Sequence, residues 1–254
     1  MSEKKKELIY KSTELRLPWP GAGCPGCGHG LVGKAIMETL EEMGIGDRVI
    51  AVGGIGCHSM AIMMTKMDRT IGAHGTAPAT ATAIKQALFD DVIVFTVQGD
   101  GDCAAIGAGY LVNAAARGER ITVFMLNNAN YGTTGGQMAP TTLMGQVTPT
   151  TPTGRDAKRF GYPLHVPEML ATIKGVAYSA RSAVNSPANF QRTKRYVKAA
   201  LQKQIDDVGF TFVEILDPCP INWHMEPVDA LKWMEEKQIA EYPLGEFKNV
   251  DRID

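Results

Sequence analysis

The sequence predicts an α/β fold, a mainly parallel sheet with helices on both faces. Three observations carry that expectation. Short apolar runs at residues 48–52, 91–97, 121–126 and 210–216 each stop at Gly, Asp, Asn or Cys, as buried parallel strands do where they feed a loop. Segments with apolar residues at helical spacing lie between the runs. The interval from residue 91 to 126 has the length of a βαβ unit, whose two strands are parallel.

The elements follow in order. Residues 1–22, charged and then rich in Pro and Gly, read as an N-terminal arm, and 23–220 as one α/β domain. A helix pattern covers 31–43. The run 48–52 leads into Gly53-Gly54-Ile55-Gly56-Cys57. Small residues over 76–88 fit a helix. The run 91–97 is followed by Gly99-Asp100-Gly101, and a helix to Arg117 starts near Asp102, a residue type suited to capping it. The run 121–126 ends at Asn127-Asn128. Residues 130–162, rich in Gly, Thr and Pro, read as a long polar loop, a class that is usually functional or mobile. Helix, strand and helix fit 167–175, 177–183 and 189–206, and the basic face around Arg192–Lys203 reads as solvated. The run 210–216 ends at Asp217-Pro218-Cys219-Pro220, and 221–254 reads as a C-terminal arm.

Composition narrows the function. With 26 Lys+Arg against 27 Asp+Glu, the net charge is −1, which gives nucleic acid no electrostatic hold. No apolar run is long enough to cross a bilayer. The start, Met-Ser-Glu-Lys-Lys-Lys, lacks the apolar stretch of a signal peptide, so a cytoplasmic location is expected. There are 5 cysteines, an odd number, and in a reducing compartment metal binding or catalysis suits them better than disulfides.

Cys57, Asp100, Asn128 and Cys219 all fall just past predicted strand ends. Ligands of open α/β sheets bind along that edge, so these residues are expected to meet. Asp100 offers a carboxylate, Asn128 an amide oxygen and Asn130 a backbone carbonyl, a set of hard oxygens suited to Mg²⁺ bridging to a diphosphate. Gly99 and Gly101 let the backbone approach, and the following helix start favours an anion. Gly-Asp-Gly alone is also a commonplace turn. Cys24-Pro-Gly-Cys27 suits a zinc half-site, a redox pair or half of an iron–sulfur site. Cys57 and Cys219 are the natural third and fourth thiolates of a [4Fe–4S] cluster, and a Cys₄ zinc site is the alternative. Cys103 reads as a small core residue. His29 and His58, each beside a candidate ligand, either contact a cofactor, tune the metal from outside its ligand shell, or are satisfied by backbone. His165 and His224 carry no pattern.

These residues resemble a known family. Gly99-Asp100-Gly101 with Asn127-Asn128 is similar to the thiamine-diphosphate enzyme motif. Together with Cys24-Pro25-Gly26-Cys27-Gly28-His29, Ala73-His74-Gly75 and Tyr131-Gly132-Thr133-Thr134-Gly135-Gly136-Gln137, it resembles the β subunits of 2-oxoacid:ferredoxin oxidoreductases over about residues 20–220. The resemblance implies the diphosphate-binding half of a thiamine-diphosphate fold. The aminopyrimidine-binding half would lie on an α subunit, with ferredoxin-like and γ-type subunits and ferredoxin as further partners. It implies thiamine diphosphate, Mg²⁺ and a [4Fe–4S] cluster on Cys24, Cys27, Cys57 and Cys219. Gly56, Cys57, His58, His74, Gly99, Asp100, Gly101, Asp102, Asn128, Asn130, Tyr131, Gly132, Thr133 and Thr134 would face the cofactor, and Thr133–Gln137 reads alternatively as a self-closed turn. The implied reaction is oxidative decarboxylation of a 2-oxoacid with coenzyme A to acyl-CoA and CO₂. Residues 137–155 look most like the branched-chain, 2-oxoisovalerate branch, with 2-oxoglutarate or pyruvate as alternatives. The rival readings are a non-oxidative thiamine-dependent decarboxylase or synthase subunit and a non-catalytic cluster or zinc scaffold.

Overall fold

A computed structural model describes residues 11–17, 23–88 and 92–253. It contains a seven-stranded sheet in the order β2-β1-β3-β4-β6-β5-β7. The strands are β1 (Val49–Gly53), β2 (Asp68–Ile71), β3 (Ile93–Gly99), β4 (Thr122–Asn127), β5 (Val176–Ala183), β6 (Phe210–Leu216) and β7 (Gly245–Asn249). All neighbours pair in parallel except β7, which runs antiparallel to β5. The α/β expectation holds.

Strand period divides the core in two. Ile93, Phe95 and Val97 of β3 and Phe124 and Leu126 of β4 face one side, packed with Val32, Ile36 and Leu40 of α1 (His29–Glu42). Val94, Val123 and Met125 face the other. The Phe95 and Phe124 rings meet at 5.5 Å, a tilted pair worth roughly 0.5–1.5 kcal/mol beyond its burial. A short helix α2 (Met60–Met63) follows the loop after β1. On the second face lie α3 (Ala77–Leu88) and α4 (Ala108–Ala116). Cys103 is buried there among apolar neighbours. Beyond a short turn of helix, α5 (Ala157–Phe160), α6 (Val166–Ala171) joins that face. Helix α7 (Pro187–Ile205) returns to the first face, capped by Ser186, and buries Val197, Ala200 and Leu201. Its outer residues Arg195 and Lys198 are exposed, but Lys194 reaches α1 and pairs with Glu38 at 3.1 Å.

Several elements differ from the sequence reading. β2, Asp-Arg-Thr-Ile, is exposed at all four positions, so this edge strand has no apolar run to announce it. The helix expected from Asp102 is interrupted: residues 102–106 form a π-turn, closed by Gly107 N–H donating to the Asp102 carbonyl at 2.8 Å, and α4 starts after it. The loop 130–162 is ordered around Arg155, whose guanidinium donates to loop carbonyls. Of the expected arm 221–254, the described part, 221–253, packs onto the domain: after α8 (Pro220–Trp223), the helices α9 (Pro227–Trp233) and α10 (Ile239–Glu241) flank a π-turn at Met234–Gln238. Trp223, Ala230, Met234 and Tyr242 form a third apolar cluster with Leu143, Leu216 and Cys219, and β7 covers the edge of β5. Within residues 1–22, positions 11–17 are described, and Leu17 N–H donates to Met64 at 2.9 Å; 1–10 and 18–22 lie outside the described residues, as does Asp91 of the expected strand 91–97.

Candidate cofactor and metal site

The carboxyl ends of β1, β3, β4 and β6 form one rim, and each hands the chain to a polar segment: Gly54–Cys57, Asp100–Asp102, Asn128–Asn130 and Asp217–Cys219. A cleft of ≈ 510 Å³ opens on this rim. Gly56, Cys57, His58, His74, Gly99, Asp100, Gly101, Asp102, Asn128, Asn130, Tyr131, Gly132, Thr133 and Thr134 all line it, together with Ile55 and His29.

Asp100 and Asn128 form its polar floor, both nearly inaccessible to solvent. Asp100 accepts from Gly101 N–H at 2.9 Å and from the Thr141 hydroxyl. Burial pushes its carboxyl up to about 7, against those two hydrogen bonds. Asn128 Oδ1 is buried and has no hydrogen-bond partner among the described residues. A desolvated carboxylate beside an orphaned amide oxygen is the donor set a divalent cation satisfies, so these residues fit the Mg²⁺ that the motif implies. Asn127, which the motif pairs with Asn128, has a different task. Its side chain donates to Glu214 at 2.6 Å and accepts from Ala129 N–H at 3.0 Å, shaping the turn in which Ala129 takes φ 57°. Asn130 donates to the Asn128 carbonyl at 2.7 Å, and Trp223 Nε1 donates to the same oxygen at 3.0 Å.

Asp102 is not a helix cap. Gly101 precedes the π-turn, and the Asp102 carboxylate instead accepts from Ile55 N–H at 3.1 Å, Gly75 N–H at 2.8 Å, Gln98 Nε2 at 2.6 Å and faces His74 Nδ1 at 2.5 Å. It ties three rim segments together. His74 also meets the Tyr131 ring edge-on at 6.5 Å. His58 is buried with Nε2 unpartnered among the described residues, and burial drives its pKa down to about 3, so it is neutral. The 131–137 segment closes on itself: Tyr131 N–H donates to Gln137 at 2.9 Å and Thr134 Oγ1 to Gln137 Oε1 at 2.6 Å. Thr134 thus serves the turn, whereas the Thr133 hydroxyl reaches Cys57.

The second cavity, ≈ 980 Å³, is lined by Cys24, Cys27, Cys57 and Cys219. It shares His29, Gly56, Cys57, Asn128, Gly132 and Thr133 with the first. All four thiols are free, so four sulfurs from three separate chain segments line one cavity without a disulfide, a donor set that fits a [4Fe–4S] cluster. Burial pushes the Cys219 thiol up to about 11. For Cys57 burial is outweighed: the hydrogen bond and charge of His29, with Thr133, lower its pKa. Burial likewise opposes protonation of His29, but Asp217 and the thiols hold its pKa well above the imidazole value. Cys27, His29 and Asp217 bring their ligand atoms within 4.8 Å of one another.

Asp217, Asn222 and Thr141 are site residues that the sequence reading missed. Asp217 stood two positions before Cys219 on the same rim, which was a usable signal. Asn222 Nδ2 donates to Gly132 O at 3.0 Å, Asn130 Oδ1 at 3.3 Å and Cys219 Sγ at 3.4 Å, joining the two cavities. Nothing local marks it or Thr141.

Residues 54–215 match the family described as thiamine pyrophosphate enzyme, C-terminal TPP binding domain. The chain is 42% identical over 226 residues to the ketoisovalerate oxidoreductase subunit VorA of Methanothermobacter thermautotrophicus, covering 89% of this chain and 47% of that protein. It therefore spans about half the length of VorA. It is 33% identical over 228 residues to the 2-oxoglutarate synthase subunit KorB of Archaeoglobus fulgidus, covering 89% of this chain and 79% of KorB. A solved 2-oxoglutarate:ferredoxin oxidoreductase from Magnetococcus marinus, with 2-oxoglutarate, coenzyme A and succinyl-CoA bound, shares the fold at a TM-score of 0.77 and 24% identity, over 95% of this chain and 86% of that one. Fold and rim together define a thiamine-pyrophosphate-binding domain. Within that class, the chain belongs to the family of 2-oxoacid:ferredoxin oxidoreductase subunits.

Proposed function

We propose that this chain is the β subunit of a multisubunit 2-oxoacid:ferredoxin oxidoreductase, binding Mg²⁺–thiamine diphosphate in the Asp100 cleft and a [4Fe–4S] cluster between Cys24, Cys27, Cys57 and Cys219. The reaction is coenzyme-A-dependent oxidative decarboxylation of a 2-oxoacid to acyl-CoA and CO₂, with electrons passed to ferredoxin. An α subunit completes the cofactor site, and ferredoxin-like and γ-type subunits complete the complex. A branched-chain substrate, 2-oxoisovalerate, fits the VorA likeness; 2-oxoglutarate is the alternative that the KorB likeness favours. Among the described residues no helix is long and apolar enough to cross a membrane, and we place the complex in the cytoplasm.

One observation carries this reading: the oxygen-lined cleft and the four-cysteine cavity share a wall, with Cys57 in both. When bound, thiamine diphosphate supplies the electron sink for decarboxylation and the cluster a one-electron acceptor. The chain does the holding. Asp100, Asn128 and the Asn130 carbonyl take the metal, Asp102 fixes the loops around the cleft, and the Gly99–Gly101 turn admits the diphosphate.

The test is anaerobic purification of the complex from its host. Iron, sulfide and a broad absorption near ~400 nm are expected of the cluster. Zinc without iron would refute the oxidoreductase reading. Asp100→Ala should abolish Mg²⁺-dependent retention of thiamine diphosphate; retention unchanged would leave the chain a scaffold.

A further inference from the structure

We propose that His29, oriented by Asp217, donates a hydrogen bond to the Cys57 sulfur and thereby raises the reduction potential of the cluster. This deepens the function proposed above and rests on the cysteines holding iron.

The geometry is specific. His29 opens α1 two residues after Cys27 and is only 3% exposed. Its Nε2 lies 3.4 Å from Cys57 Sγ, and its Nδ1 faces Asp217 Oδ2. Asp217 is fully buried at the end of β6, two residues before Cys219. A side chain at Gly28 would have its Cβ 2.5 Å from Asp217 Cβ, so glycine there lets the carboxylate close against the start of α1. Gly28 N–H also donates to the Pro218 carbonyl at 3.1 Å, clamping the two segments together. The ring is thus fixed between chain segments that each carry a cysteine.

An iron-bound Cys57 is a thiolate, an acceptor only, and Asp217 is an acceptor as well. Both ring nitrogens then face acceptors, and the ring donates to each. A charge-assisted hydrogen bond to a ligand sulfur draws electron density from the cluster and favours its reduced form. Cys57 is also the cysteine on the wall shared with the cofactor cleft. His29 is therefore a positioning and tuning residue. His58, the other histidine of the rim, has its Nε2 unpartnered among the described residues and makes no such bond.

The experiment uses the full chain carrying its cluster, labelled with ¹⁵N-histidine. Pulsed electron paramagnetic resonance of the reduced cluster should show coupling to one imidazole ¹⁵N and to a proton lost in D₂O. The midpoint potential should fall from wild type through His29→Gln, which keeps a donor, to His29→Leu, which has none. Absence of the ¹⁵N coupling in wild type, or unchanged potentials in both variants with iron content retained, would overturn the inference. Should a variant fail to hold iron, the wild-type couplings alone decide, for or against. A wild-type chain that binds no iron would instead refute the cluster reading itself.

Discussion

Thr141 donates its hydroxyl to Asp100 from 41 residues further along the chain, and this bond ties the 130–162 loop to the polar floor of the cleft. It does not offset the burial that pushes Asp100 up to about 7. In the metal-free chain Asp100 therefore holds its proton in the folded state where the unfolded state releases it, and its contribution to stability is lost as pH rises from about 4 to about 7. His58 acts in reverse. Its folded pKa of about 3 lies below the unfolded value, so its contribution is lost as pH falls from about 6.5 to about 3.

Each effect is on the order of 4 kcal/mol, and the windows overlap with opposite sign. We expect the metal-free wild type to show a nearly flat melting temperature between pH 4 and 6.5. Asp100→Asn should unmask destabilisation on acidification, and His58→Phe destabilisation as pH rises. Mg²⁺ with thiamine diphosphate should remove the Asp100 effect. Melting curves across pH for the three proteins check this; parallel curves would refute it.

Tyr131 leans over Gly101, its hydroxyl donating to the Gly101 carbonyl at 3.2 Å. A Cβ on Gly101 would lie 2.2 Å from the ring, so Gly101→Ala must move Tyr131 and with it the 131–137 turn. Thiamine diphosphate affinity should fall about tenfold or more, the equivalent of ~1.4 kcal/mol. Adding Tyr131→Ala should relieve the overlap, so the double variant should melt higher than Gly101→Ala alone. Calorimetric binding and melting of the single and double variants decide it.

The site was legible where chemistry coincides with strand ends. Cys57, Asp100, Asn128 and Cys219 are each the punctuation after an apolar run, and a parallel sheet collects such ends on one edge. What escaped the sequence depends on partners far along the chain. Asp102 looks like a cap because Asp before a helix usually is one, yet four tertiary donors claim its carboxylate. β2 is polar because it is an exposed edge, and β7 pairs with a strand more than 60 residues earlier in the chain, for which period offers no hint. Asn127 carries no signal beyond its place in the motif beside Asn128, and its bond to Glu214, 87 residues further along, is invisible to local pattern.

That Glu214 contact leads to a buried ion network. Arg181, fully buried in β5, pairs with Glu214 at 2.5 Å and with Glu168 at 2.6 Å, and lies 5.1 Å from the Tyr242 and Phe247 rings. Arg181→Met would strand Glu214 as an uncompensated buried charge, a loss of about 3–5 kcal/mol. Glu214→Gln should cost less, because the amide oxygen still accepts from Asn127 or Arg181. Urea denaturation should rank wild type above Glu214→Gln above Arg181→Met; the reverse order would mean that the network is not held by its charges.

Arg155 organises the long loop in the same physical way but with backbone partners. Only 5% exposed, it donates to the carbonyls of Gly161 at 3.0 Å, Pro140 at 2.9 Å, Tyr162 at 2.6 Å, Phe160 at 3.4 Å and Thr142. Its planar fork gathers residues 140–142 and 160–162 of the loop on one side chain. Arg155→Gln cannot reach that many acceptors, and leaving the carbonyl of buried Thr142 unpaired costs about 1–3 kcal/mol. Because Thr141 sits between two of those anchors, loosening them also withdraws its hydroxyl from Asp100. Two effects should therefore appear together: faster cleavage by a nonspecific protease within 140–162, and weaker Mg²⁺-dependent cofactor retention. Arg155→Lys, with three donors in place of the fork, should fall between wild type and Arg155→Gln in both assays. Faster cleavage with undiminished cofactor retention would separate the loop from the Asp100 cleft and disprove the coupling.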